Sequence, residues 1–104
     1  YLLLLGKSLK INIDRDIEHL IPEFMANRAA DIKKMQSLLR LGDRDSISKI
    51  AHRMKGAAGS YGFSDLSEIA ARIESEAQRA GSDTLNALIS ALTDHLESLE
   101  ISFI

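Results

Sequence analysis

At residues 50–62 the chain reads Ile50-Ala51-His52-Arg53-Met54-Lys55-Gly56-Ala57-Ala58-Gly59-Ser60-Tyr61-Gly62. Apolar residues recur here three and four positions apart, as they do on the core-facing side of an amphipathic helix. These apolar positions are Ile47, Ile50, Ala51, Met54, Ala57, Ala58 and Tyr61. At about 100° per residue, His52 lies roughly 150° from the middle of that side. The stretch therefore predicts a helix that packs against the rest of the chain and presents His52 to solvent.

Two glycines, Gly56 and Gly59, lie on the same half of this predicted helix as His52. A glycine inside a helix costs about 1 kcal/mol relative to alanine. Because these glycines face solvent, packing within the domain does not explain them, whereas close approach of another molecule beside His52 would. The alternative is that Gly59 and Gly62 mark the end of the helix. That alternative does not explain Gly56, which has helical spacing on both sides.

Lys55 follows His52 by three positions, so their side chains are neighbours on the helix surface. A neutral imidazole has a nucleophilic nitrogen and can form a covalent phosphoramidate. An ammonium group nearby can stabilise phosphoryl oxygens. The pair therefore suits a site that accepts a phosphoryl group and passes it on. For the other two histidines, His19 and His95, we expect structural roles, because no partner spacing accompanies them.

Glu74 is the remaining candidate, at the flank of the apolar face of the following helix. A carboxylate in that position needs a polar partner. One interpretation is that it hydrogen-bonds a ring nitrogen of His52 and thereby fixes the tautomer. The other is an exposed glutamate paired with Arg53, Arg72 or Lys55. The sequence leaves both open.

The chain as a whole carries helical periodicity and short connections, which predicts an all-α fold, an antiparallel up-down four-helix bundle with an extra short N-terminal segment. No segment alternates convincingly enough to predict a strand. The last helix is expected to continue through Leu99 towards Phe103. The predicted boundaries are Asp14 and Pro22 before the first long helix, Gly42 and Asp43 or Asp45 before the second, Gly62 and Ser64 before the third, and Gly81 and Ser82 before the fourth.

The composition is that of an ordinary globular domain, with 45% apolar residues, 27% charged residues and a formal net charge of −2. This charge is not that of a nucleic-acid binder. Cysteine is absent, which excludes disulfides and thiolate metal sites and favours the reducing cytoplasm. The apolar run Leu2 to Leu5 is too short to span a membrane. We expect one domain over residues 1–104, as a fragment of a longer signalling protein whose oligomeric state is open.

The residues His52, Lys55, Gly56 and Gly62 resemble the H-x-x-K-G-x5-G signature of histidine-containing phosphotransfer (HPt) domains. The resemblance covers roughly residues 14–100 and includes aromatic, acidic and apolar positions outside the motif. These further positions are Phe24, Asp43, Phe63, Leu66, Ile73 and Glu74.

The resemblance implies that His52 accepts the phosphoryl group through Nε2 and that Lys55 stabilises it, with Glu74 as a candidate for orienting the ring. Gly56 and Gly59 would clear room for the partner. The surface that meets the partner would also include Ser48, Arg53 and Gly62.

The partners implied are receiver domains of response regulators or of hybrid histidine kinases, with no nucleic acid and no membrane contact. Magnesium and most catalytic groups would belong to the receiver, so this domain would need no cofactor. The chain would be a phosphoryl carrier and not an enzyme in its own right.

Two other hypotheses remain open at the level of sequence. One is the phospho-accepting domain of a chemotaxis-type histidine kinase, which would take the phosphoryl group of ATP from a separate kinase core. The other is a non-catalytic helical interaction module, for which replacing His52 would leave partner affinity unchanged.

Overall fold

Glycine, proline and aspartate residues mark several boundaries of the helices in this chain. The computed structural model describes residues 9–104, so that most of the leucine-rich start lies outside the described residues. The elements are β1 (Leu9–Ile13), a 3-10 helix (Arg15–Leu20), α1 (Ile21–Leu41), α2 (Arg44–Tyr61), α3 (Ser64–Glu76), α4 (Ser82–Ser98) and β2 (Leu99–Phe103).

The connections after α1 and α2 have the same compact geometry. Gly42 and Gly62 adopt the left-handed conformation, with φ of 76° and 94°, and donate backbone hydrogen bonds to carbonyls of the last turns of α1 and α2. The residue after each glycine, Asp43 or Phe63, donates its backbone N–H to the carbonyl of Leu38 or Ala58 and also caps the next helix. The predicted helix ends at these glycines are confirmed, and Gly59 lies inside α2.

The predicted starts are right or off by one residue, but the predicted end of α3 at Gly81 is wrong because α3 ends at Glu76. Of the two predicted candidates, Asp43 and Asp45, it is Asp43 that caps α2, by accepting a hydrogen bond from the backbone N–H of Ser46. The N-caps of α3 and α4 are Phe63 and Gly81, so the prediction of Ser64 and Ser82 as caps is wrong by one residue. For α3 the reason is the tight turn at Gly62, which leaves Phe63 as the only residue between the glycine and the helix.

The four helices form the predicted antiparallel up-down bundle. Each helix contacts the next along the chain, and α1 also contacts α4. The connections 42–43, 62–63 and 77–81 are too short for parallel neighbours. Fully buried residues from every helix fill the centre, among them Met35, Ile47, Met54, Ile73 and Ile89.

One arginine holds the longer connection between α3 and α4. The guanidinium of Arg44, at the start of α2, donates to the carbonyls of Ala77 at 3.0 Å and Ala80 at 2.7 Å. It also donates to Oγ of Ser82 at 3.3 Å. Arg44 thus supplies donors to carbonyls that the end of α3 would otherwise leave to water.

Two short strands correct the expectation that the chain contains none. β1 pairs with β2 in parallel, with Leu9 opposite Leu99 and Ile13 opposite Phe103. α4 ends at Ser98, so Leu99 and Phe103 lie in β2 and not in a helix. The apolar residues of both strands other than Leu9 pack against the bundle, while Lys10, Asn12, Glu100 and Ser102 stay exposed.

Candidate functional site

His52 stands in the middle of α2 on the side that faces away from the core. Its neighbours Ala51 and Met54 are completely buried, whereas 66% of the His52 side chain is exposed. The imidazole is therefore accessible to another protein along most of its surface.

The carboxylate of Glu74, on α3, connects the two candidate residues of α2. Its Oε2 accepts a hydrogen bond of 2.7 Å from Nδ1 of His52, and its Oε1 accepts one of 2.8 Å from Nζ of Lys55. Glu74 therefore binds both His52 and Lys55, which the sequence had offered as alternative partners. These bonds, that from Lys55 first and that from His52 second, hold the pKa of the Glu74 carboxyl below its ordinary value.

This arrangement determines which ring nitrogen of His52 is free. An ionised carboxylate can only accept hydrogen bonds, so Nδ1 must carry the proton. In the neutral ring Nε2 is then the nitrogen with the available lone pair. The exposed imidazole of His52 therefore has a nucleophilic nitrogen, and Glu74 fixes the tautomer of the ring.

Lys55 is less exposed than His52, at 39% of its side chain. Its backbone carbonyl accepts a 2.9 Å hydrogen bond from Oγ of Ser67 on α3. Contacts from both the backbone and the side chain of Lys55 thus tie α2 to α3 at the level of His52.

The helix surface beside His52 is bare at the two predicted glycines. In the described part of the chain, a Cβ added at Gly56 would meet no atom within 4 Å. One added at Gly59 would make an ordinary contact of 3.5 Å with Oγ of Ser67. The fold itself therefore does not require a glycine at either position. Gly62, by contrast, is required by its positive φ.

Ser48, His52 and Arg53 line an open groove along α2 that also includes Glu74 of α3. Lys34 of α1 and Lys49 of α2 line the same groove. Sequence reasoning missed both lysines. Lys49 precedes His52 by three positions on the same helix, so spacing could have indicated it, whereas only the packing of α1 against α2 brings Lys34 into the groove.

The other two histidines stand apart from this site. His95 is buried, with 9% exposed, and burial lowers its pKa despite an opposing effect of Asp65. His19 lies exposed in the 3-10 helix. Within residues 9–104, no group of three or more acidic or histidine side chains is placed to hold a metal ion. The same residues include no helix that is both long and apolar enough to cross a membrane.

Comparison with known proteins gives one match. The family model described as Hpt domain matches residues 19–101, which is most of the chain and includes every residue of the site described above. No match was found among the curated proteins or among the solved structures.

Proposed function

Because this chain belongs to the Hpt domain family, whose members carry phosphoryl groups on histidine in phosphorelays, we propose that His52 is the residue that carries it. In this proposal His52 takes the group from a phosphorylated aspartate of one receiver domain and delivers it to the aspartate of another. The observation that carries the proposal is the contact of Nδ1 with Glu74, which leaves Nε2 free on an exposed ring.

The transfer balances without an added base. The lone pair of Nε2 attacks phosphorus, an N–P bond forms, and the bond between phosphorus and the aspartyl oxygen breaks with its electrons on the departing carboxylate. The imidazole keeps its Nδ1 proton and becomes positively charged. Glu74 lies 2.7 Å from that nitrogen, so its negative charge stabilises the ring as the charge develops.

Lys55 would act on the phosphoryl oxygens. Its ammonium is held by Glu74 beside His52 and is still partly exposed, so it can turn towards a dianionic group on Nε2 without crossing the core. A point charge in that position stabilises the phosphoryl group in both directions of transfer.

Docking would use the bare surface of α2 at Gly56 and Gly59, together with Ser48 and Arg53. Magnesium and the aspartate that exchanges the group would be supplied by the receiver, which leaves this domain as a carrier. The absence of cysteine suits the cytoplasm, where we place this exchange.

The test is to mix the purified domain with a phosphorylated receiver and follow the intact mass of the wild type and of His52→Gln. The wild type should gain one phosphoryl group that is lost in acid and kept in base, and His52→Gln should gain none. His19→Gln is the matched control, because it removes another exposed histidine, and it should be labelled like the wild type.

Equal labelling of His52→Gln would contradict the proposal. Labelling of the wild type only by a kinase core with ATP, and by none of several receivers, would assign the chain to the chemotaxis-type kinases instead. If no donor labels the chain, the site is a docking surface without covalent chemistry.

A further inference from the structure

Three cations lie together on one side of His52. Lys34 projects from α1, while Lys49 and Arg53 lie one turn apart on α2, and all three line the groove described above. All three side chains belong to exposed residues. We call them the basic rim.

The basic rim is only partly neutralised by its surroundings. Glu74 is the single carboxylate among the residues that line this groove in the described chain, and it is already engaged by His52 and Lys55. Lys49 has an exposed partner, Asp45, at 3.3 Å. Within residues 9–104, Lys34 and Arg53 form no ion pair. A chain with a net charge of −2 therefore has a cluster of positive charge beside the exposed His52.

We propose that the basic rim docks an acidic edge of the partner protein, next to the aspartate that exchanges the phosphoryl group with His52. This inference rests on the proposed function and adds the chemistry by which a partner is selected. Exposed charges of this kind act over several ångströms in water, so they raise the rate of encounter and align the two surfaces more than they strengthen the final complex.

The geometry favours a protein partner over a nucleic acid. The rim comprises three cations in a chain whose net charge is −2, whereas nucleic-acid-binding domains are strongly basic overall. The bare surface at Gly56 lies on the same helix, so a partner that covers His52 can contact both the glycine and the rim.

The opposite side of α1 provides a matched control. Lys33 is the sequence neighbour of Lys34 and is equally exposed, yet it lines the groove between α1 and α4 with Glu97. Arg72 is an exposed cation of α3 that does not line the His52 groove. The pair Lys33→Gln and Arg72→Gln therefore changes the net charge as much as Lys34→Gln and Lys49→Gln without touching the rim.

The experiment measures the rate of transfer from a phosphorylated receiver at limiting receiver concentration and at increasing ionic strength. The Lys34→Gln, Lys49→Gln double variant should lose on the order of tenfold in second-order rate at low salt. The loss should shrink at high salt, and the rate at saturating receiver should stay that of the wild type. The Lys33→Gln, Arg72→Gln variant should stay within about twofold of the wild type. Lys34→Arg with Lys49→Arg, which keeps the charge, should do the same.

Circular dichroism of each variant checks that the fold is retained. If the wild type is loaded and the rim variant shows the same rate and the same salt dependence, the basic rim has no role although the proposed function holds. An equal loss of rate in the Lys33→Gln, Arg72→Gln variant would show that only net charge matters. That result would also contradict the proposed role of the basic rim. If the wild type is not loaded by any receiver, the proposed function fails and the inference fails with it.

Discussion

Nδ1 of His52 and Oε2 of Glu74 lie 2.7 Å apart, although the two residues are 22 positions apart in the chain. The contact crosses from the middle of α2 to α3, and the same carboxylate binds Lys55 through its other oxygen. One acidic side chain therefore orients the histidine and positions the lysine, which makes the three residues one unit. Its effect on the rate of phosphoryl transfer can be measured separately from the stability of the fold.

Glu74→Gln should slow phosphoryl transfer while leaving the bundle folded. The amide keeps the shape of the side chain but removes the charge that holds Nδ1 protonated and Lys55 in place. Carboxylates that orient metal-bound histidines contribute about 10–100-fold, and we expect a loss of rate in that range. Glu76→Gln is the control, because Glu76 is on the same helix and pairs with Arg79 instead. Equal rates for Glu74→Gln and the wild type would show that Glu74 is only structural.

Gly56→Ala should separate stability from function. The added methyl group meets open space, so the isolated domain should gain about 1 kcal/mol in its free energy of unfolding from the better helix propensity of alanine. Transfer from a receiver should become slower, because the methyl group stands in the docking surface. Urea unfolding and transfer rates test the two parts. A variant that is both more stable and fully active would mean that the partner does not approach this part of α2.

Arg44→Ala should destabilise the fold without affecting the chemistry of the site. It removes the donors for the carbonyls of Ala77 and Ala80, which should cost about 1–3 kcal/mol in the free energy of unfolding. Transfer rates measured well below the unfolding temperature should match those of the wild type. An unchanged urea midpoint would show that water replaces the guanidinium at no cost.

The buried His95 should make stability depend on pH on the acidic side of neutrality. Burial lowers its pKa in the folded chain, whereas in the unfolded chain the imidazole takes up a proton below about pH 6.5. Between these two pKa values the unfolded state binds more protons, so the free energy of unfolding falls as the pH decreases through this window. In His95→Leu this part of the pH dependence should disappear. Identical slopes in wild type and variant, measured by urea unfolding, would contradict this assignment.

The helices and the ends of α1 and α2 could be predicted because their determinants are local. Gly42 and Gly62 end helices through their own φ angles, and Pro22 stands in the first turn of α1 as its fixed backbone requires. His52 could be placed on the exposed side of α2 from periodicity alone.

The features that escaped prediction depend on residues far apart in the chain. Leu9 to Ile13 does alternate, but its partner strand lies some ninety residues later and the spacing of Leu92, Leu96 and Leu99 also fits a continued helix. Arg44 gives no local indication of its role, because its acceptors lie 33 and 36 positions away. For Glu74 the sequence could name the possible partners, but only the packing of α3 on α2 shows that it binds two of them.

The central claim is that Glu74 keeps the proton on Nδ1 of His52 so that Nε2 receives the phosphoryl group. The most direct test is nitrogen and phosphorus NMR of the domain after loading by a phosphorylated receiver, with the histidines labelled with ¹⁵N. The account predicts a single phosphohistidine at His52, with phosphorus bonded to Nε2 and the proton on Nδ1. Phosphorus on Nδ1, or on any other residue, would contradict it.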